Sequence, residues 1–484
     1  MEEPRQLKRT LGLLDATSLV AGSMIGSGIF LVSSDMARDL GSAGWLILAW
    51  LLTGVITLTA ALSYGELAGM MPDAGGQYVY IRRAWGKFTS FLYGWTVFAV
   101  IQTGVIAAVA MAFANYTSEL LPVFSAKHIL FSIGTFAITA QQLLAVALIV
   151  FLTFVNTLGV KSGATIQKIF TSAKLVALFG LILFGLILGL KSGMLGQNFS
   201  NGWNATQTYQ EVKDGPWLTR SLGGFLLLSV FGMTMINSLF SSDAWNNVTF
   251  IAGEIKEPQK NIPRSLLLGT GIVTALYILA NIAYLSLLNL KGDPHGADVV
   301  SRGMQFAEMG RVGTAAATMI FGNIATVMMA ILIMVSTFGC NNGIILAGAR
   351  LYYAMAKDGL FFGKASSLNK FSVPSFGLWV QCLWASLLCF SGTYNDLLTY
   401  CTFASLIFYI VTIAGIFMLR KKEPNTPRPY KAFGYPLLPA FYILAAGFIC
   451  IDLIVMKTYD SCAGLIIVAI GIPVYFLQKF FSKG

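Results

Sequence analysis

The sequence predicts an all-α membrane protein that crosses the bilayer about twelve times. Of its 484 residues, 56% are hydrophobic and only 11% are charged, whereas soluble domains carry about 25% charged residues. The apolar residues form long runs, and a helix needs about 20 such residues to span a bilayer. The segments between the runs are too short to fold alone, so we expect residues 1–484 to form one membrane domain.

Twelve apolar runs give the predicted spans. They cover residues 11–36, 44–70, 88–117, 130–158, 165–190, 220–252, 265–290, 313–349, 374–392, 396–419, 434–457 and 461–479. The first run follows a short basic segment without a small-residue cleavage site, so it is interpreted as a retained span and not as a signal peptide. The first ten spans divide into two halves of five, about 11–190 and about 220–419, and two additional helices occupy about 434–479.

The basic residues predict the orientation of these spans. If both termini are cytoplasmic, 22 of the 32 Lys and Arg residues fall in cytoplasmic loops and 9 in outer loops, while Lys174 lies within a span. Cytoplasmic loops of membrane proteins are enriched in Lys and Arg. The net charge of +11 therefore reflects topology in a lipid bilayer and indicates no nucleic-acid partner. We expect a multi-pass protein of the plasma (cell inner) membrane with both termini cytoplasmic.

The composition also indicates which kinds of functional site the sequence lacks. The six cysteines lie mostly within apolar runs and lack the spacing of metal ligands, and the two histidines fall in predicted outer loops. The segment Gly359–Lys364 is one residue short of a phosphate-binding loop. No nucleophile can be paired with a buried histidine or cysteine. The sequence therefore predicts no metal, no cofactor and no enzymatic activity, and it indicates no partner subunit.

The first span is interrupted at its centre by small residues. Gly22, Gly26 and Gly28 lie there with Ser23 and Ser27, and each glycine costs a helix about 1 kcal/mol relative to alanine. Backbone that leaves the helix at this depth must line a cavity or be buried in protein, because lipid offers no hydrogen-bond partners. We predict a broken helix whose peptide groups form the floor of a small-molecule site. Alternatively, the Gly22-x-x-x-Gly26 spacing allows two helices to pack closely.

The sixth span contains a second interruption, at Phe240–Asn247. Four hydroxyl or amide side chains and one carboxylate lie within this otherwise apolar run. An aspartate at the centre of a membrane helix costs about 2.5–3.5 kcal/mol, so we do not expect Asp243 to face lipid. The two interruptions fall at similar places in the two halves, and paired broken helices indicate an inverted-repeat transporter. The repeat is inferred from this layout, since the halves show no residue-level similarity.

Lys174 is a charged residue inside the fifth span. It follows Lys168 by six residues, which places it about 9 Å deeper at 1.5 Å per residue. Its stem could extend back to the membrane surface. In the functional interpretation, its ammonium lies beside the first broken helix, donates to the freed carbonyls and takes the place of a coupling sodium ion. A buried lysine can also release its proton, so proton coupling is an alternative.

The loop after the second span predicts a short helix. Pro72 stops the preceding helix, and Gly75 and Gly76 allow a tight reversal. The aromatic residues that follow suit a helix at the membrane interface, with Arg82 and Arg83 directed at lipid headgroups.

Five segments along the chain match motifs of one transporter superfamily. They are Gly22–Phe30, Pro72–Tyr78, Ile169–Lys174, Phe240–Pro263 and Ser336–Gly359. In this order they resemble the amino acid–polyamine–organocation (APC) superfamily, and most of all the L-type amino acid transporter group and its bacterial exchanger relatives. The resemblance covers essentially the whole chain. It implies a LeuT-like fold with a 5+5 inverted repeat and broken helices 1 and 6.

The resemblance also implies a substrate site at the two interruptions. The amides around Ser27 and Gly28 would hold a carboxylate, as the positive end of a half-helix does, and the carbonyls of Met24 and Phe240 would accept an α-ammonium. The predicted substrate-binding residues are Met24, Ile25, Gly26, Ser27, Gly28, Phe240, Ser241 and Asp243. Asp243 either strengthens the ammonium contact or pairs with a neighbouring helix.

Further residues are predicted to gate or shape that site. Phe240 would cover it from the outside, and Lys174 would stand in the sodium position. The predicted gating and wall residues are Phe240, Trp245, Asn246, Phe338, Tyr400 and Phe403. Ser242 and Ala244 stand where the family commonly has tyrosine and glycine, so the resemblance does not define which substrate side chain is preferred.

Together these features predict a sodium-independent secondary transporter of zwitterionic, neutral L-amino acids that works by alternating access. Exchange is the expected mode, with proton-coupled symport as the alternative. A carrier of cationic amino acids or polyamines is a further alternative, because Asp243 could hold a second positive charge. A non-cycling amino acid sensor is a more distant one, since the long soluble tail of such proteins is absent from the sequence.

Overall fold

The structure is an all-α membrane fold, as predicted. The computed structural model describes residues 7–133, 136–212, 215–390 and 394–481. Its helices are α1 Leu13–Met24, α2 Gly28–Leu40, α3 Ala43–Met70, α4 Gln77–Trp85, α5 Lys87–Thr96, α6 Gln102–Leu120, α7 Ala140–Thr157, α8 Val160–Ser192, α9 Met194–Ser200, α10 Gly224–Ser241, α11 Asn247–Phe250, α12 Pro258–Leu287, α13 Val299–Arg302, α14 Val312–Phe321, α15 Ala325–Lys357, α16 Ser375–Leu388, α17 Tyr394–Lys422, α18 Leu437–Met456 and α19 Thr458–Phe481. Two antiparallel hairpins pair β1 Ile129–Ile133 with β2 Phe136–Thr139 and β3 Thr206–Tyr209 with β4 Leu218–Ser221.

Eleven stretches of the described chain are long and apolar enough to cross a membrane. The helix α3, for example, has 28 residues, and at 1.5 Å per residue it is about 42 Å long. The twelfth predicted segment, 374–392, corresponds to the shorter helix α16 of 14 residues. The polytopic all-α fold is confirmed, while the count of twelve spans and the inverted repeat stay predictions.

A hairpin replaces the start of one predicted span, and a second hairpin lies in the loop before the sixth span. The fourth span, predicted from residue 130, begins only at Ala140 because residues 129–139 contain β1 and β2. Thr139 caps α7, since its Oγ1 accepts from the amide of Gln142 at 3.3 Å. Aromatic and β-branched residues favour strands over helix in this stretch. The polar stretch before the sixth span holds α9 and the β3–β4 hairpin.

The short helix predicted after the second span is confirmed as α4, but its surroundings differ from the prediction. Five of its residues are buried, namely Gln77, Tyr78, Tyr80, Ile81 and Ala84. Arg82 pairs with Asp358 and Arg83 with Glu423, both at 2.6 Å. The hydrogen bond from Arg83 holds the pKa of Glu423 below its usual range. The two arginines therefore bind carboxylates of the protein and stay partly exposed, while their contact with lipid headgroups stays a prediction.

The helices α1, α2 and α10 form the centre of the fold. The helix α1 packs against α8, α12 and α15, and α2 packs against α10. The helix α12 also packs along α3, and α15 packs against α6 and α8. Buried apolar residues of these helices form a continuous core. The two interrupted spans are therefore surrounded by protein, where irregular backbone can find partners.

One face of the molecule carries both ends of the described chain. The amide of Leu11 donates to the carbonyl of Glu254 at 3.0 Å, and Leu7 lines a surface cavity with Asp358. At the other end of the chain, Gln478 Nε2 donates to the Gly359 carbonyl at 3.1 Å. Because α15 ends at this face, residues 7–11, 353–359 and 478 lie together. We call it the terminal face.

Candidate functional site

The first span is broken between Met24 and Gly28. The helix α1 ends at Met24, Ile25 has extended backbone angles (φ −78°, ψ 95°), and α2 begins at Gly28. The helix α2 has no side-chain cap and no acidic residue in its first turn. The positive end of its dipole is therefore directed at the gap between the two half-helices. The predicted interruption is confirmed.

Lys174 on α8 binds the carbonyl groups that the break leaves outside the helix. Its side chain is 1% exposed. Its Nζ donates to the carbonyl oxygens of Gly22 at 2.8 Å, Ile25 at 2.5 Å and Ser336 at 2.9 Å. An ammonium group has three donors, so these bonds use all of them. The side chain points at the break and does not extend back to the membrane surface.

The helix α15 supplies further donors to the same break. The Ser336 hydroxyl lies 3.1 Å from the carbonyl oxygen of Ile25 and 3.0 Å from that of Gly26. One turn later, the Cys340 thiol donates to the Ser23 carbonyl at 3.0 Å. Buried backbone groups must find partners, and side chains of α8 and α15 provide them here.

Two glycines of the first span make close contacts. A Cβ at Gly22 would lie 2.1 Å from Thr171 Oγ1 on α8, and a Cβ at Gly28 would lie 2.2 Å from the Oγ and 3.2 Å from the Cα of Ser241. Gly22 thus permits close helix packing, while Gly28 brings the two interrupted spans into contact. Close helix packing therefore explains Gly22, and the position of the break beside the second interrupted span explains Gly28.

The sixth span is broken after Ser241. The helix α10 ends there, residues 242–246 are not helical, and the short helix α11 follows. Ala244 has a left-handed backbone with φ 63°, a conformation that costs a residue with a Cβ about 1–2 kcal/mol. Glycine adopts this conformation without steric cost, so it would suit this position.

We expect Ala244→Gly to raise the free energy of unfolding by about 1 kcal/mol, because glycine adopts a left-handed backbone without steric cost. Ala280→Gly is the matched control in the helical interior of α12, and it should lower the free energy of unfolding by about 1 kcal/mol. Thermal unfolding of the purified protein in detergent measures both. If both variants are destabilised alike, the backbone at residue 244 is not strained.

Tyr277 on α12 bridges the two interruptions. Its hydroxyl oxygen lies 3.1 Å from the Met24 carbonyl oxygen and 3.0 Å from that of Ser241. One hydroxyl proton serves one carbonyl at a time, so these carbonyls retain capacity for another donor. Sequence reasoning missed Tyr277, because a tyrosine within an apolar span is by default a core residue.

A small cavity lies between the two breaks. Its volume is about 30 Å³, far below the roughly 300–1,000 Å³ of ligand pockets, so the site is closed in this conformation. Seven predicted substrate-binding residues line it, namely Met24, Gly26, Ser27, Gly28, Phe240, Ser241 and Asp243. The eighth predicted residue, Ile25, does not line the cavity. Its carbonyl accepts a hydrogen bond from Lys174.

Ser23 is a lining residue that the sequence analysis did not place in the site. Its side chain is 2% exposed, and its hydroxyl has no hydrogen-bond partner among the described residues. Such a buried polar group costs about 1–3 kcal/mol, so a ligand that bonds to it would bind more tightly. Its place within the Gly22–Phe30 motif is the signal that could have identified it.

Asp243 pairs with a neighbouring helix and also lines the cavity. Tyr409 on α17 donates its hydroxyl to Asp243 Oδ1 at 2.5 Å and lies 3.3 Å from Asn246 Oδ1. Asn246 Nδ2 donates in turn to Gln77 Oε1 at 2.8 Å. The predicted gating residue Asn246 and the carboxylate of Asp243 thus belong to one buried polar network that joins the second break to α4 and α17.

The predicted aromatic wall residues lie in different surroundings. Trp245 is 3% exposed and packs edge-on against Tyr64, with 4.8 Å between ring centroids. Phe338 stacks on a phenylalanine of α8 at 4.6 Å, and Phe403 is buried in the core. Neither phenylalanine lines the central cavity. The side chain of Tyr400 lies outside the described residues.

Ion pairs join elements near both ends of the helices. On the terminal face, Arg350 of α15 pairs at 3.1 Å with Glu254, which follows α11, and both side chains are buried. At the opposite ends of the helices, Arg311 before α14 pairs with Glu119 of α6 at 2.8 Å.

A polytopic all-α protein whose two interrupted helices enclose a central cavity is a secondary membrane transporter. The family model of amino acid permeases matches residues 11–476, and the chain belongs to this family. The resemblance seen in the motifs is thereby confirmed.

Three curated relatives are similar over nearly the whole chain. The large neutral amino acids transporter small subunit 2 of Mus musculus is 30% identical over 482 residues, which cover 98% of this chain and 82% of the relative. The serine/threonine exchanger SteT of Bacillus subtilis (strain 168) is 28% identical over 480 residues, 99% of this chain and 98% of the relative. The b(0,+)-type amino acid transporter 1 of Mus musculus is 28% identical over 485 residues, 99% of this chain and 89% of the relative.

Proposed function

We propose that this protein is a sodium-independent transporter of zwitterionic, neutral L-amino acids that works by alternating access and exchanges one amino acid for another. Its relatives, which are named as amino acid transporters, support the substrate class. Sodium independence is supported by the Lys174 ammonium, which lies on the carbonyl oxygens of Gly22 and Ile25. In related architectures, unwound carbonyls of this kind coordinate the coupling cation, and here a fixed cation occupies them.

The central cavity offers partners for both charged ends of an amino acid. The start of α2, at Ser27 and Gly28, suits a carboxylate because of its amides and its dipole. The Met24 carbonyl and the Asp243 carboxylate suit an ammonium group on the other side. The Ser23 hydroxyl supplies a further bond. A zwitterion matches this arrangement, with Phe240 covering it.

Uptake into liposomes tests the proposal. The purified protein should take up labelled neutral amino acids equally well in sodium chloride and in choline chloride. Exchange predicts that unlabelled amino acid inside the liposomes accelerates uptake. Uptake that needs no internal amino acid but responds to a pH gradient would contradict exchange and support proton symport, with Lys174 as the buried proton carrier. A requirement for sodium would contradict the role given to Lys174.

Asp243 favours a second candidate, a carrier of cationic amino acids or polyamines. Its carboxylate lines the cavity and forms no ion pair among the described residues, although buried carboxylates are generally paired. A substrate with a second positive charge would provide the partner. Competition by arginine and putrescine separates the two candidates, since strong competition is expected only of the second.

We expect Asp243→Asn to weaken the binding of a neutral amino acid about tenfold, because the amide removes the charge that strengthens the bond to the ammonium. Tyr409→Phe is the control, since it removes the hydroxyl bound to Asp243 and keeps the carboxylate. It should change the dissociation constant less than about threefold. Calorimetric titration measures both. Equal effects would mean that Asp243 acts only through Tyr409.

The proposal includes the arrangement of the chain in the membrane. Residues of about 11–190 and about 220–419 form the two inverted repeats, and their interruptions line one cavity. The terminal face lies in the cytoplasm, with the protein in the plasma membrane, since basic residues concentrate on cytoplasmic loops. A cysteine at the exposed Lys364 position should escape membrane-impermeant thiol reagents in intact cells. Labelling of this cysteine from outside the cell would contradict the proposed orientation of the protein.

A further inference from the structure

A large basic cavity opens at the terminal face, separate from the central cavity. Its volume is about 1030 Å³. The segment before α1, the junction of α4 with α5 and the end of α15 form its walls. Five basic residues line it together with two aspartates, and the basic ones are Arg9, Arg82, Arg83, Lys87 and Lys357. The lining therefore carries a net charge of +3.

Three of these cations have no carboxylate partner in the described part of the chain. The two arginines of α4 are already paired with carboxylates. Arg9, Lys87 and Lys357 form no such pair, and Lys357 lies over the ring of Tyr353 at 4.6 Å. These three side chains come from three separate elements, so their convergence on one cavity is a product of the fold.

The start of one helix also lines this cavity, beside the basic side chains. The helix α5 begins at Lys87 after Gly86, and it has no side-chain cap and no acidic residue in its first turn. Gly86 and Lys87 both line the cavity. Amides and dipole at such a helix start favour an anion. The net charge of the lining side chains and the start of α5 therefore both favour an anion.

We propose that this cavity binds a phosphate-bearing anion. Arginine and lysine form charge-assisted hydrogen bonds with phosphate oxygens, and basic clusters beside a membrane bind anionic lipid headgroups. The headgroup of an anionic phospholipid and free phosphate share this chemistry. A bound anion would connect the segment before α1 to the start of α5 and the end of α15 at the terminal face.

Ligand-dependent thermal stability of the purified full-length protein tests the site. One arm adds inorganic phosphate in detergent, with chloride at equal ionic strength as the reference. The other arm adds short-chain phosphatidylglycerol, with short-chain phosphatidylcholine as the reference. We expect phosphatidylglycerol to stabilise the protein in a saturable manner. If inorganic phosphate also stabilises the protein in a saturable manner, the site binds free phosphate as well as the lipid headgroup.

A triple variant locates the binding. Arg9→Gln, Lys87→Gln and Lys357→Gln together should weaken the apparent affinity for phosphatidylglycerol by at least about tenfold. The matched control neutralises Lys161, Arg264 and Lys364, which are exposed residues outside the cavity lining, and should change it less than about twofold. Both variants should melt like the original protein without ligand, which shows that they fold. If neither anion stabilises the protein, or if the two triple variants lose affinity equally, the proposal is wrong.

Discussion

Lys174→Ala is expected to lower amino acid uptake at least about 100-fold, because it leaves buried carbonyl groups without their donor at about 1–3 kcal/mol each. The carbonyls concerned belong to Gly22, Ile25 and Ser336. They lie on α1, in the break after it and on α15, so the ammonium also connects the broken helix to its neighbours. The initial rate of labelled amino acid uptake into liposomes, at matched protein content, measures the effect.

Lys191→Ala provides the control on the same helix. Lys191 is exposed at the end of α8, and its loss should leave uptake within about twofold, as is typical of surface substitutions. If Lys174→Ala retained more than half of the original rate, the ammonium would not be needed for transport. If Lys174→Ala created a requirement for sodium, the ion would have replaced the lysine, which would support the proposed role directly.

Gly28→Ala is expected to weaken substrate binding at least about 30-fold, because overpacking a tight contact costs about 1–3 kcal/mol. The new Cβ would lie 2.2 Å from the Oγ and 2.8 Å from the Cβ of Ser241. The start of α2 and the end of α10 must therefore move apart, and both line the cavity. Calorimetric titration with a neutral amino acid measures the change.

A second substitution separates packing from occupation of the carboxylate position. Ser241→Gly removes the two atoms nearest to the new Cβ and leaves the Cα at 3.2 Å. If packing is the cause, the double variant that combines Gly28→Ala with Ser241→Gly should regain most of the lost affinity. A double variant that unfolds normally but still does not bind would show that the methyl group occupies the place of the substrate carboxylate. Ser241→Gly alone is the reference for both.

Periodicity and composition were sufficient for most of the fold. A membrane span must satisfy its own backbone hydrogen bonds and expose apolar side chains, so it leaves a long apolar run in the sequence. The stretch 129–139 is the exception, since its apolar residues form a hairpin before α7. An apolar run of this length does not distinguish strand from helix.

The site was partly predictable for a related reason. Glycines and polar residues stand out within an apolar span, which marked both interruptions and Lys174. Ser23 was overlooked although it lies within the marked segment, and Tyr277 was overlooked because aromatic residues are common in spans. Phe338 and Phe403 illustrate the converse, since these aromatic residues lie near motifs but do not line the cavity. Their direction depends on helix rotation, which no short motif specifies.

By itself the sequence determined that this chain spans a membrane, where its helices break and which charged residues are too costly to face lipid. Those properties follow from the free energy of placing each residue type in hydrocarbon, and they are local. The tertiary structure decided which partners meet, namely Lys174 with the carbonyls of the first break, Tyr277 with both breaks, and Arg9, Lys87 and Lys357 around one cavity. These contacts join residues far apart in the chain, so they arise only when helix packing brings the elements together.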